Sequence, residues 1–277
     1  MISVIIPCFN AEEFLKETLD SILSQQEEIE DIIVVDDGST DQSASIVKSY
    51  NDSRIIYLHQ PNKGVSVARN RGLTQAKGEF VVFFDADDKM TPDFLKERKK
   101  ILIDNPDVDF CCGPVNVFPL QQKISFGIAE NVSEVLLTYQ PQYSSCPSNY
   151  LIRKSVLIEH QLFFNESLSS TADRFFLIQL AGKSKGKLIQ NAPLLYRVTP
   201  NSMSGKLSKT LVKDNENYLL ELIKNKLIPT SLEKTFLFRI QYILGLGFIR
   251  TGSYIKGMKY AMKAFSNDPK NFLNQII

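Results

Sequence analysis

Two stretches decide the fold: Ile32-Ile33-Val34-Val35-Asp36-Asp37-Gly38-Ser39 and Phe80-Val81-Val82-Phe83-Phe84-Asp85-Ala86-Asp87-Asp88. Each is a short β-branched or aromatic run that ends in carboxylates. Runs without polar alternation read as strands buried on both faces, as in a parallel sheet. In open α/β sheets ligands bind outside the carboxyl ends of the strands, so both acidic clusters are expected to project into one crevice. Five carboxylates in one cleft repel each other unless a cation or hydrogen-bond donors compensate. The combination points to a divalent metal and a ligand rich in donors and phosphate.

Outward from these runs, strand and helix alternate. Val4–Ile6 is a strand that stops at Pro7, and Asn10 offers an N-cap with Glu13 as its capping-box partner. Phe14, Leu15, Thr18, Leu19, Ile22 and Leu23 make one helical face. Asp41 can cap a second helix, Ile55–Leu58 is a third strand, and Pro61-Asn62-Lys63-Gly64 is a turn into a third helix. After Phe80–Phe84, Thr91-Pro92 opens a helix to about Ile103. The βαβαβαβα order implies right-handed crossovers and a mostly parallel α/β sheet. Strands are expected at Val108–Cys112, Val115–Phe118 and Leu194–Arg197, with helices at Ser133–Tyr139, Lys154–His160 and Asp173–Ala181. From Lys206 the pattern is helical, at roughly 206–226, 231–250 and 253–266, and reads as an appendage.

The 277 residues suit one large domain, or a domain with an appendage. The net charge of +1 hides an asymmetry: residues 206–277 hold 12 Lys/Arg against 5 Asp/Glu, whereas residues 1–205 hold 20 against 26. Cys8, Cys111, Cys112 and Cys146 form no C-x-x-C pair, and two histidines are few for a zinc site, so the cysteines read as buried free thiols. The chain enters its first strand without a basic n-region or an apolar h-region, which fits a cytoplasmic placement. The longest membrane-span candidate, Ile243 to Ile249, is too short.

Each motif also has a plainer reading. Asp36-Asp37-Gly38-Ser39 can bind a base or ribose, or simply make a turn. Asp85-Ala86-Asp87-Asp88 can present oxygens to Mg²⁺ or Mn²⁺, which prefer them, or be a solvated turn. Arg69, near a helix start, can meet an anion or decorate a helix surface. Arg197 and the hydroxyls of Ser202 and Ser204 suit a diphosphate, or are ordinary loop residues. Asp173 opens an apolar helix, where a carboxylate also favours the macrodipole.

Four ordered motifs together carry a resemblance: Val4-Ile5-Ile6-Pro7-Cys8-Phe9-Asn10, Val34 to Asp41, Asn62 to Gly72, and Phe84-Asp85-Ala86-Asp87-Asp88. Their order and spacing resemble the family 2 glycosyltransferases of GT-A fold, strongly over residues 1–100 and more weakly to about 205. The resemblance implies inverting transfer from a nucleotide-diphosphate sugar, with UDP as the expected carrier, to a glycan or lipid-linked acceptor. It implies a nucleotide-binding half (1–100), an acceptor-binding half (101–205) and a C-terminal helical region (206–277). Carried over by position, Pro7, Phe9, Asn10, Asp36 and Asp37 would line the nucleoside pocket. Arg69 would sit near the base or phosphates, and Asp85 with Ala86 near the ribose. Asp87 and Asp88 would hold Mn²⁺ or Mg²⁺, Arg197 and Ser202 would close over the diphosphate, and Asp173 would be the general base. Two positions depart from the pattern: Ala172 stands where the family has Glu, and Thr199 where many members have a metal-binding His.

The basic tail gives a membrane hypothesis. Lys206, Lys209, Lys213, Lys256, Lys259 and Lys263 could meet anionic headgroups, placing the chain at the inner membrane face. Nothing points to nucleic acid. A dehydrogenase would need G-x-G-x-x-G, which is absent. A nucleotidyltransferase would want a glycine-rich basic loop where Pro7-Cys8-Phe9-Asn10 stands. A haloacid-dehalogenase-type phosphatase would want Thr or Val where Lys89 follows Asp88. The remaining alternative is a catalytically degenerate protein of this fold that binds nucleotide sugar or scaffolds an assembly.

Overall fold

The computed structural model describes residues 1–25, 29–118, 122–140, 142–198 and 207–274, with the backbone alone for 122–125 and 274. The first half runs β1 (Ile2–Cys8), α1 (Leu15–Leu23), β2 (Ile29–Asp36), α2 (Ser43–Lys48), β3 (Ile55–His59), α3 (Val65–Gln75), β4 (Phe80–Phe83), β5 (Lys89–Met90) and α4 (Phe94–Asp104). Then come β6 (Phe110–Cys112), β7 (Pro114–Phe118), β8 (Gln122–Phe126), α5 (Val132–Leu137), β9 (Leu151–Arg153), α6 (Lys154–Glu159), α7 (Ala172–Ala181), β10 (Gly186–Leu188) and β11 (Leu194–Arg197). Helices α8 (Lys209–Lys224), α9 (Thr230–Arg250), α10 (Tyr254–Asn267) and α11 (Pro269–Asn274) complete the described chain.

Seven strands form the main sheet in the order β10-β6-β9-β4-β1-β2-β3. β1, β2, β3 and β4 are mutually parallel, and β9 is inserted antiparallel between β4 and β6. The expected mostly parallel α/β sheet is therefore present. The chain leaves β1 toward β2 and β3, then returns to β1's other side as β4, so the crevice between β1 and β4 is the switch point where such sheets bind ligands. Registers Cys8↔Asp36↔His59 and Ile5↔Phe83 put both acidic clusters at one sheet edge. A second, four-stranded sheet, β5-β11-β7-β8, stands beside the second cluster.

Both faces of β1, β2 and β4 are buried, because alternate residues feed two cores. Val4, Ile6, Ile32, Val34 and Val82 pack with Leu15, Leu19 and Ile22 of α1 and Phe94 and Leu95 of α4. Ile5, Ile33, Val35, Val81 and Phe83 pack on the other side with α3 and α7. Gly72 is required here: a Cβ would lie 2.3 Å from Ile5 Cγ2, so only glycine lets α3 settle on β1. The second core does not stop at residue 205. Val212, Tyr218 and Leu222 of α8 and Phe236, Ile240 and Leu244 of α9 join it, so the first two C-terminal helices belong to the domain's own packing.

Asp41 does serve the second helix, its Oδ1 accepting from Ser43 N at 2.9 Å at the start of α2, but the other two expected caps are used elsewhere. Asn10 lies in the left-handed region (φ 48°), its Oδ1 accepts from Thr40 N at 2.9 Å, and α1 starts only at Leu15. Ala11 N and Glu12 N donate to Ser43 and Asp41, and Glu12 accepts from Gln42 N. The polar residues after β1 zip onto the loop after β2 rather than capping a helix. Thr91 likewise donates its hydroxyl to Pro193 O, and α4 begins at Phe94. Among the described residues no helix is long and apolar enough to cross a membrane, and all four cysteines are free and buried.

Candidate active site

The first acidic cluster is saturated with hydrogen bonds. Asp36, at the end of β2, accepts from Tyr57 Oη at 2.5 Å and Ser39 N at 2.8 Å. Burial pushes its pKa up, but these bonds outweigh burial and hold it below the usual carboxylate range. Asp37 accepts from Gln60 Nε2, Lys63 N and Gly64 N at 2.7–2.8 Å. It thereby fixes the turn that launches α3. Gly38 (φ 82°) makes the tight bend, with Asn62 N only 2.9 Å from where a Cβ would be. Pro7 is buried in β1, and half-exposed Phe9 stands just beyond the strand, offering an apolar face beside this loop.

The second cluster is built differently. A hydrogen bond from Asp88 N to Asp85 O closes a turn after β4. The i, i+3 relation then puts Asp85 and Asp88 side by side, with Cys146 between them: its thiol lies 3.5 Å from Asp88 Oδ2 and 4.0 Å from Asp85 Oδ2. Ligand atoms of Asp85, Asp88 and Cys146 lie within 4.8 Å of one another, which suits a metal ion. Asp87, which the resemblance puts at the metal with Asp88, is not one of these three residues. Asp88 is fully buried, and burial first, then the charges of Asp85 and Asp87, lifts its pKa well above the usual range. Burial and Asp85 push Asp87 up to about 6. The carboxylates, with their excess negative charge, suit a hard divalent cation, while burial pushes the Cys146 thiol well above its ordinary value and keeps it protonated beside them.

One guanidinium links this cluster to Asp173. Arg69, on α3 and 3% exposed, gives Nη2 to Asp85 Oδ1 at 2.6 Å and Nη1 to Asp173 Oδ1 at 2.5 Å. Its Nε has no hydrogen-bond partner among the described residues, and its plane lies 4.9 Å from the Phe164 ring centroid. Phe164 stacks on Phe176 at 4.2 Å, and Phe83 meets both edge-on. Arg69 thus stands on an aromatic floor, already engaged with two carboxylates. Burial lifts Asp173 to about 6, against the opposing pull of Arg69. A quarter of its side chain stays open, so it can still meet a ligand.

Asp173 is also held from behind. Asp214, on α8, accepts from Ser169 N, Ser170 Oγ, Thr171 N and Thr171 Oγ1 at 2.7–3.0 Å, gripping the segment that leads into α7. Ala172, beside Asp173, is fully buried.

Arg197 ends β11. Its N–H donates to Asp88 Oδ1 at 3.1 Å, its Nε to Asp87 O at 2.8 Å, and its Nη2 pairs with Glu17. It lies between the rings of Phe14 and Phe118. Meeting a diphosphate would therefore require exchange of Glu17. Ala86 is buried, its carbonyl accepting from Thr18. Ser202 and Thr199 lie outside the described residues.

Sequence reasoning missed Cys146, Ser148 and Phe164. Ser148 Oγ accepts from Asp85 N at 2.9 Å. Its neighbour Asn149 is locked by buried Arg98, whose Nε donates to Asn149 O and Nη2 to Asn149 Oδ1. The Cys146-Pro147-Ser148-Asn149 run just before β9 had no periodicity to announce it.

The fold is that of the GT-A glycosyltransferases. Over 96% of this chain it superposes on Staphylococcus aureus TarS 1–349 in complex with UDP-GlcNAc (TM-score 0.64, 21% identity, 72% of that chain). It also matches the mannosyltransferase PcManGT of Pyrobaculum calidifontis in complex with GDP-Man and Mn²⁺ (TM-score 0.61, 17% identity, 99% of this chain and 78% of that one). Residues 3–160 match Glycosyl transferase family 2, and the chain belongs to that family. Its N-terminal part is similar to glycosyltransferase GlyA of Streptococcus pneumoniae, 42% identical over 105 residues, 37% of this chain and 15% of GlyA. The chain spans 15% of GlyA's length and 64% of that of a further relative, Bacillus subtilis EpsH.

Proposed function

We propose that this chain is an inverting glycosyltransferase. It moves a sugar from a nucleotide-diphosphate donor, UDP before GDP, to a hydroxyl of a glycan or lipid-linked acceptor, in surface polysaccharide or glycoconjugate synthesis at the cytoplasmic membrane face. The observation that carries the reading is the Asp85–Arg69–Asp173 bridge, which spans the acid cluster and the candidate base at the switch-point crevice. TarS, whose fold it shares, binds UDP-GlcNAc, and PcManGT binds GDP-Man with Mn²⁺.

Inversion needs one in-line displacement, with a carboxylate taking the acceptor proton. Asp173 serves as that base, and Arg69 holds it at a fixed orientation while leaving one oxygen free. Phe9 offers a flat apolar surface to the nucleoside. Asp85 and Asp88, with Asp87 beside them, would hold the Mn²⁺ or Mg²⁺ ion, whose charge would offset that of the donor's diphosphate. A base must be deprotonated to act. With Asp173 at about 6, the rate should fall as the pH drops through that value.

The test couples binding to turnover. Thermal melts with UDP, GDP, dTDP and CMP, with and without Mn²⁺, should single out one metal-dependent ligand. At a hundredfold excess over Kd the stabilisation is about 2.7 kcal/mol. Asp173→Asn should retain that shift and lose transfer by roughly 10²–10⁴-fold. Loss of the nucleotide shift in Asp173→Asn would instead assign Asp173 to donor binding, and no shift with any nucleotide would leave the degenerate reading.

A further inference from the structure

Helix α10 carries a face that the domain does not cover. Tyr254, Ile255, Met258, Met262 and Phe265 are 44–74% exposed. Ile255, Met258, Met262 and Phe265 follow one another at intervals of three, four and three, so they form a single stripe along the helix. The opposite side is small and packed: Gly257 and Ala264 are buried, and Gly257 lies so close to α9 that a Cβ would meet Gly245 O at 2.9 Å. The helix is therefore fixed on α9 with its large apolar side chains pointing outward.

Lysines border the stripe. Lys259 and Lys263 have no carboxylate partner among the described residues, whereas Lys256 is paired with Glu216 at 2.7 Å. Helix α10 contains no Asp or Glu at all. A groove of about 880 Å³ runs beside it, lined by Ile255, Met262, Lys256, Lys259 and Lys263 and by Glu216 of α8, whose carboxylate is already met by Lys213, Lys256 and Tyr260.

We infer that this face docks on an anionic bilayer surface, with the helix lying in the plane of the interface. The apolar stripe would enter the acyl boundary while Lys259 and Lys263 meet headgroup phosphates. A second copy of the chain is the poorer occupant. A two-fold contact sets each face against itself, bringing lysine against lysine with no acid on the helix to answer them. None of these residues is among those around Asp85, Asp88 and Asp173, so docking can fail while the transferase reading stands, and the reverse.

Sedimentation of the full chain with vesicles tests this. With phosphatidylglycerol in the vesicles the protein should pellet at low salt and release at high salt; with phosphatidylcholine alone it should stay in solution. Lys259→Ala and Lys263→Ala should each weaken binding about fivefold. Met258→Glu/Met262→Glu should abolish it. Both methionines are more than half exposed, so that variant should melt like the parent and keep its nucleotide shift. No pelleting with anionic vesicles would overturn the inference. So would a dimer in light scattering that Met258→Glu/Met262→Glu dissociates, since a second copy would then own the face.

Discussion

The two acidic clusters sit at the same sheet edge yet carry opposite electrostatic designs. Asp36 and Asp37 are buried but answered: a tyrosine hydroxyl, a glutamine amide and three backbone N–H groups supply their donors. Asp36 is held below the ordinary range as a result. Asp85, Asp87 and Asp88 crowd together, with Asp87 and Asp88 pushed upward by burial and then by the charge of Asp85. Neutral dipoles that point at a carboxylate settle its charge within the fold. Carboxylates that point at each other leave a charge to be settled by something that binds. The first cluster shapes the loop into α3, and the second, in which Arg69 answers Asp85 alone, keeps excess negative charge for a ligand.

That contrast can be broken from either side. The largest effect should come from Arg69→Leu, which leaves Asp85 and Asp173 facing each other across a buried gap. Both acids are about a quarter exposed, so solvent trims the loss to about 2–4 kcal/mol, read by denaturant unfolding at neutral pH. Asp88→Asn should act in the opposite direction. A raised folded-state pKa contributes stability that is present below the unfolded value and lost as pH rises through the folded one. The neutral isostere should therefore stabilise the metal-free protein near pH 7, with the gain fading toward pH 4. The same variant should lose the Mn²⁺-dependent melting shift. A destabilised Asp88→Asn at neutral pH would mean that the second cluster is as settled as the first. Tyr57→Phe probes the first cluster and should cost only about 1 kcal/mol, the worth of one hydrogen bond to Asp36. It should leave metal response unchanged; a larger loss would mean that Asp36 depends on Tyr57 alone.

The sequence disclosed what repeats along the chain and hid what is assembled across it. Ile32–Val35 and Phe80–Phe84 were readable because five or so β-branched and aromatic residues in a row have few alternatives. β9 was not, since three residues have no period, and its antiparallel insertion between β4 and β6 is decided by packing. Asn10 met every local criterion for a helix cap and was drawn instead to Thr40, thirty residues on. The acidic cluster was legible in position but not in membership. The turn pairs Asp88 with Asp85 rather than with Asp87, and Cys146 arrives from 58 residues away on the segment that precedes β9.

Asp214 gives the C-terminal helices a different standing. An appendage can be removed or exchanged at its hinge, but α8 reaches back to hold the segment that ends in Asp173. Parts traded between relatives of this chain should therefore be joined beyond Lys224 and not near residue 205. A seam placed between Asp173 and Asp214 would separate a side chain from the clamp that aims it.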